Sequence, residues 1–208
     1  MKKIVKKSPT LNMKPPENAI VLFDGSNLNA WRQKNGKAAM WKILPDGAME
    51  VTKQDIVTQK KFSDFKLHLE FKTPLKPEAT GQARGNSGVY LLERYELQIL
   101  DSYGLTPQNN DCGAIYKVAA PLRNACYPPL RWQTYDITIH APRFDKSGKK
   151  ISNAEVTVEQ NGILIQDKTE IPHPTGSRFS KNEVKEGGIL LQDHHNPVQF
   201  RNIWILPL

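Results

Sequence analysis

The feature that most constrains this chain is a period of two. From Phe65 to Phe71, Leu67, Leu69 and Phe71 stand on one side and Lys66, His68 and Glu70 on the other. From Thr134 to His140 the pattern returns, with Tyr135, Ile137 and Ile139 against Thr134, Asp136, Thr138 and His140. Successive side chains of a strand point to opposite faces, so such runs describe strands with one face in a core and one in a polar setting. Helical periodicity is nearly absent. Further short runs are cut by turn residues: Ile20–Phe23 ends in Asp24-Gly25, and Trp41–Leu44 precedes Pro45-Asp46-Gly47. Asn161-Gly162 separates VTVEQ from ILIQ, the strongest short-range hairpin signal in the chain. Gly113–Val118 reads as one more strand, and Gly188–Asp193 and Val198–Leu206 as a last pair joined by the turn HHNP. Thr73–Gly81 and Ala119–Arg131 read as loops. Many short antiparallel strands predict an all-β domain of two sheets packed face to face, with one concave outer face able to hold a polar ligand.

At 208 residues the chain suits one β domain, here residues 19–208 behind a basic, flexible leader, residues 1–18. The net charge of +8 resembles a nucleic-acid signal. However, Lys2, Lys3, Lys6, Lys7 and Lys14 belong to the Pro-containing leader, and the other cations are scattered without an arginine-rich helix or aromatic interleaving. Nucleic acid is therefore not an expected partner. No apolar segment spans a bilayer, and Met1–Thr10 lacks the apolar stretch of an export signal. Cys112 and Cys126 have no partners at zinc spacing; they are either two free thiols or one disulfide, which would stabilise the fold by about 3 kcal/mol. The chain has no GxSxG elbow, P-loop or dinucleotide-binding glycine fingerprint, which disfavours serine-hydrolase, nucleotide and NAD chemistry.

Gly85–Asp101, GNSGVYLLERYELQILD, reads as two short strands and carries an acid inside an apolar alternation. Leu97 and Ile99 share one face; Arg94, Glu96 and Gln98 share the other. Asp101 lies an odd number of residues from Glu96 and joins its face only where a bulge or the strand end re-aims it.

LFDGSNLNAW (22–31), GNSGVYL (85–91), YELQILD (95–101), GAIY (113–116) and GGILLQDHHNPVQFRNIWI (187–205) stand in the order seen in the DUF1080, or 3-keto-disaccharide hydrolase, domain family. The resemblance covers about residues 19–208. It implies a concanavalin A-like jelly-roll β-sandwich of two antiparallel sheets and a periplasmic or secreted sugar-processing protein. Gln98 stands where a glucanase of similar fold carries a second acid, which argues against glucanase-type double displacement.

A sugar oxidised at C3 needs less, because the ketone acidifies the proton at C2: a base removes it as the C1 oxygen leaves, and water can add back. Glu96 is the candidate base or acid. His194, which matches the family histidine of LQDH, is the candidate for proton transfer, and Asp101 is the third candidate catalytic group. Lys117 and Arg201 are candidates to hold a ketone or enolate oxygen. Asn86, Gln98 and Gln192 are candidates for sugar hydroxyls, and Trp132 for stacking on a ring, whereas Trp31, Trp41 and Trp204 fit core positions. The expected partner is a sugar or 3-keto-glycoside, with no cofactor and no metal site assigned. The alternative is a non-catalytic carbohydrate-binding module using Trp132, Gln98 and Asn86 on the same face.

Overall fold

The computed structural model describes residues 6–176 and 180–208. Among them are fifteen strands and one 3-10 turn, Gly81–Ala83. The strands are β1 (Ile20–Phe23), β2 (Trp31–Gln33), β3 (Lys42–Ile43), β4 (Met49–Glu50) and β5 (Ile56–Thr58). Then come β6 (Phe65–Lys72), β7 (Ser87–Leu91), β8 (Tyr95–Ile99), β9 (Gln133–His140) and β10 (Arg143–Phe144). The last five are β11 (Lys150–Ser152), β12 (Ala154–Gln160), β13 (Ile163–Ile171), β14 (Leu190–Leu191) and β15 (Gln199–Pro207). One antiparallel sheet runs β13-β12-β9-β6-β15-β4-β3 with β1 also on β15; the other runs β2-β5-β14-β7-β8, and β10 pairs with β11 apart from both.

The alternation fixes which faces meet. Phe65, Leu67, Leu69 and Phe71 of β6, and Tyr135, Ile137 and Ile139 of β9, pack inward against Val89, Leu91, Tyr95, Leu97 and Ile99 of β7 and β8. Burial of each such side chain contributes roughly 1.5–3 kcal/mol. Tyr135 also reaches through the core and donates its hydroxyl to the Gln98 carbonyl at 2.7 Å, tying the β8 backbone to the opposite sheet. Asn161-Gly162 makes the expected hairpin, with φ of 55° and 72°. Leu92-Glu93 turns β7 into β8 with the same positive φ, 53° and 59°, and without a glycine to announce it.

Three local expectations change. Gly113–Val118 is not a strand: Gly113, Ala114 and Tyr116 bond the open edge of β8 through Gln98 and Glu96, and Lys117, at φ 59°, turns the chain away. The HHNP segment does not close a hairpin, because β14 lies in one sheet and β15 in the other. The basic leader is also not free where it is described. Ser8 Oγ bonds Thr134 Oγ1 at 2.7 Å, Thr10 Oγ1 donates to Asp136 Oδ2 at 2.7 Å, and the Met13 carbonyl accepts from Asn202 Nδ2 at 3.0 Å. Short polar side chains match the polar outer faces of β9 and β15, which periodicity of apolar residues does not reveal. Lys2 and Lys3 lie outside the described residues. Cys112 and Cys126 are free, buried thiols, each 3.5 Å from Gln160 Nε2.

Candidate functional site

Register places Val57, Leu190, Tyr90 and Glu96 side by side across β5, β14, β7 and β8, on the outer face of the five-stranded sheet. Val57, Leu190 and Tyr90 form a small apolar cluster apart from the main core. Glu96 ends the row, 4% exposed, and Tyr90 Oη donates to its Oε2 at 2.7 Å. The next row pairs Gly88 with Gln98, and Gln192 donates its backbone N–H to the Gly88 carbonyl at 3.0 Å. Gly88 is required by space: a Cβ there would lie 2.6 Å from Glu96 Oε1. The loop at Thr175–Gly176 closes over this end, with the Glu96 N–H donating to Thr175 Oγ1 at 2.6 Å.

Together these elements form a pocket of about 170 Å³ lined by Gln82, Asn86, Tyr90, Glu96, Gln98, Tyr116, Gly176, Gln192 and His194. Its amides carry the chemistry. Asn86, Gln98 and Gln192 are 2%, 1% and 4% exposed. Asn86 Oδ1, Gln98 Oε1 and Gln192 Oε1 are buried acceptors with no donor among the described residues. Buried polar atoms are normally paired, so three surplus acceptors on one pocket wall match a ligand that brings hydroxyl donors. Of the other unpaired buried atoms, two belong to the Arg84–Asp101 pair and the rest stand singly at Thr73 and Gln199.

His194 is exposed in the Asp193–Asn196 turn and shares the rim of this pocket with a second hollow of about 320 Å³, lined by Lys34, Gln54, Asp55, Asp193, His194 and His195. That hollow is rigidly tied: Asp193 N–H donates to Asp55 Oδ1 at 2.9 Å, Gln54 N–H to Asp193 Oδ2 at 2.9 Å, and Lys34 Nζ stands 3.5 Å from Asp55 Oδ2. Among the described residues no group of three or more His, Cys, Asp and Glu side chains is placed to hold a metal.

The structure thus gathers Glu96, His194, Asn86, Gln98 and Gln192, and leaves four expected site residues elsewhere. Asp101, just past the end of β8, pairs with Arg84 at 2.7 Å instead of turning into the groove. Lys117 is exposed, its Nζ 5.4 Å from the Tyr116 ring centre. Arg201 and Trp132 belong to the opposite sheet's outer side: Arg201 Nε donates to Glu70 Oε2 at 2.7 Å, and the Trp132 ring lies against both Arg201 and Lys72, 4.2 and 4.7 Å from its centre. Both aromatic and cation are consumed by partners that sequence spacing does not disclose. Arg94, the obvious partner for Glu96, bonds the Asn182 and Glu93 carbonyls instead. Gln82, Tyr90 and Tyr116 were missed. Tyr90 alone had a signal, since pairing β7 with β8 around the three-residue connection 92–94 sets it opposite Glu96.

The class is an antiparallel β-sandwich with a polar, acid-bearing pocket on an outer sheet face. More narrowly, the chain belongs to the 3-keto-alpha-glucoside-1,2-lyase-like domain family, which it matches over residues 18–206. A solved structure of a proposed glycosyl hydrolase from Parabacteroides distasonis is similar at 42% identity and a TM-score of 0.86, covering 93% of this chain and 85% of that one. A second from the same organism shows the same fold at 20% identity and a TM-score of 0.70, covering 92% and 94%. The alginate lyase Aly36B shares the fold at 9% identity and a TM-score of 0.53, covering 92% and 97%. No curated protein matches the chain.

Proposed function

We propose that the protein is a carbohydrate-active enzyme that cleaves 3-keto-glycosides, with Glu96 as general base and His194 as the proton donor to the leaving oxygen. The observation that carries this reading is the meeting of Glu96 with three surplus amide acceptors in one pocket. At about 170 Å³ the pocket is below the roughly 300–1,000 Å³ of sites for drug-sized ligands and suits a single sugar ring. The adjoining hollow suits the second unit, which puts the linking oxygen near His194.

In this mechanism the Glu96 carboxylate, oriented by the Tyr90 hydroxyl, removes the C2 proton made acidic by the neighbouring ketone. The C2–H electron pair forms the enolate and then the C1–C2 double bond as the C1–O bond breaks. The departing oxygen takes a proton from His194. Water then adds across the double bond in a hydrating enzyme, or the unsaturated ketone is released by a lyase. Tyr116 and the amides supply hydrogen bonds to the ring.

The test is Glu96→Gln, assayed on a panel of 3-keto and unoxidised disaccharides for released monosaccharide and for the absorbance of an unsaturated ketone. Turnover of the keto-disaccharide should fall by about 10²–10⁴ while sugar binding persists. Retained turnover removes Glu96 as the base. Sugar binding with no turnover of any substrate by the unmodified protein favours a carbohydrate-binding module.

A further inference from the structure

Gln82 stands in the short turn Gly81–Ala83, outside both sheets, in a stretch with no strand or motif signal. Its Nε2 donates to the Asn110 carbonyl at 2.8 Å. A backbone carbonyl only accepts, so this bond orients the amide with nitrogen toward Asn110 and Oε1 toward its neighbours. Oε1 then accepts from Gln98 Nε2 at 2.8 Å and Asn86 Nδ2 at 3.2 Å. Asn86 Nδ2 is held a second time, by the Gln82 carbonyl at 2.8 Å, whereas among the described residues the Gln98 amide nitrogen is anchored by the side chain of Gln82. Both amides thereby direct their nitrogens to Gln82, and their oxygens become the unpartnered acceptors of the pocket wall.

We infer that Gln82 is a specificity-determining positioning residue: by locking the Gln98 amide it makes this wall acceptor-only, so that it selects ring positions bearing free hydroxyls and rejects those bearing a carbonyl, an O-methyl group or a carboxylate. The inference deepens the sugar-pocket reading above and rests on it. It also orients the substrate, because a ketone oxygen only accepts; the wall holds neighbouring hydroxyls and the ketone is turned toward a donor such as Tyr116. Without Gln82 the Gln98 amide is free to rotate and offer its N–H₂ to the same position.

The experiment is an NMR titration of the full chain, unmodified and as Gln82→Met, with methyl α-glucopyranoside and its singly O-methylated and singly deoxygenated counterparts. The unmodified protein should bind at least one O-methylated counterpart about tenfold more weakly than the parent glycoside. Gln82→Met should bind the two within about threefold, with a modestly lowered melting temperature because the buried Gln98 amide nitrogen loses its acceptor, the protein remaining folded at the temperature of the titration. In turnover of a keto-disaccharide, KM should rise while kcat holds. Full discrimination retained by Gln82→Met overturns this inference and leaves the sugar reading intact. Failure of the unmodified protein to bind any of these neutral glycosides overturns this inference, and failure to bind or turn over the keto-disaccharide as well overturns the sugar reading.

Discussion

The two outer faces of the sandwich both bury a glutamate on a strand, and they use it differently. On the eight-stranded sheet Glu70, fully buried, accepts from Arg201, Asn202 and the Asn12 N–H, and faces His68 at 3.8 Å. His68 in turn lies 2.7 Å from Asp136, and residues 8–13 cover the group. Its polar atoms are matched donor to acceptor. On the five-stranded sheet Glu96 is nearly as buried, and the amides around it leave three oxygens over. Burial of an acid therefore does not mark a site. A surplus of one hydrogen-bonding sense does, because a fold gains nothing from burying acceptors without protein donors unless a ligand completes them.

This contrast predicts which face tolerates change. Glu70→Ala removes the acid that holds the half-buried Arg201 and Asn202 and faces the buried His68, and should cost about 3 kcal/mol in urea denaturation. Sugar binding per folded molecule should be unchanged, since the pocket lies on the other sheet. A stable Glu70→Ala protein with weakened sugar binding would reverse the roles assigned to the two faces.

The fold was legible because alternation is a backbone property: Phe65–Phe71, Thr134–His140 and the Asn161-Gly162 turn each declare strands without tertiary information. The same alternation set Glu96 and Gln98 outward together. What it does not contain is partnership. Trp132 and Arg201 look like ligand-binding residues in isolation, yet they satisfy each other and Glu70 across strands far apart in sequence. Gln82 looks like loop filler, and acquires its role only when the chain brings Asn110, Asn86 and Gln98 around it. The leader's hydrogen bonds to β9 and β15 were hidden for the same reason.

Gly88→Ala sharpens the comparison from the other side. The added methyl would meet Glu96 Oε1 at 2.6 Å and Cγ at 3.1 Å, so the carboxylate must move or the strand must shift. Overpacking of this kind costs about 1–3 kcal/mol. If the carboxylate is the base, turnover should fall at least tenfold more than the loss of folded protein explains, because a reacting group displaced by about 1 Å loses its near-attack geometry. Equal losses of folding and turnover would make Gly88 a packing residue only.

The smallest effect is the pH dependence of stability, and it should come from the sealed face. Burial pushes the His68 imidazole down, but Asp136 and Glu70 outweigh it and hold its pKa above the ordinary 6.5. The charged ring therefore contributes stability that is complete below about pH 6.5 and is lost as pH rises through the raised value. Glu70 runs the opposite way. Burial pushes its carboxyl up, yet hydrogen bonds from His68, Asn202, the Asn12 N–H and Arg201 bring it down to about 2 from 4.5, so its contribution is complete above about pH 4.5 and is lost as pH falls toward 2. Stability should be greatest between about pH 4.5 and 6.5 and fall on either side. The acid limb is shared with Asp64, which the Arg143 guanidinium holds at about 2 against the opposing effect of burial, so Glu70 is not its sole source. The alkaline limb isolates His68: His68→Gln should flatten urea midpoints between pH 6 and 9 while leaving the acid limb in place. An alkaline limb that survives His68→Gln would mean that a different group, outside the network under the N-terminal segment, governs it.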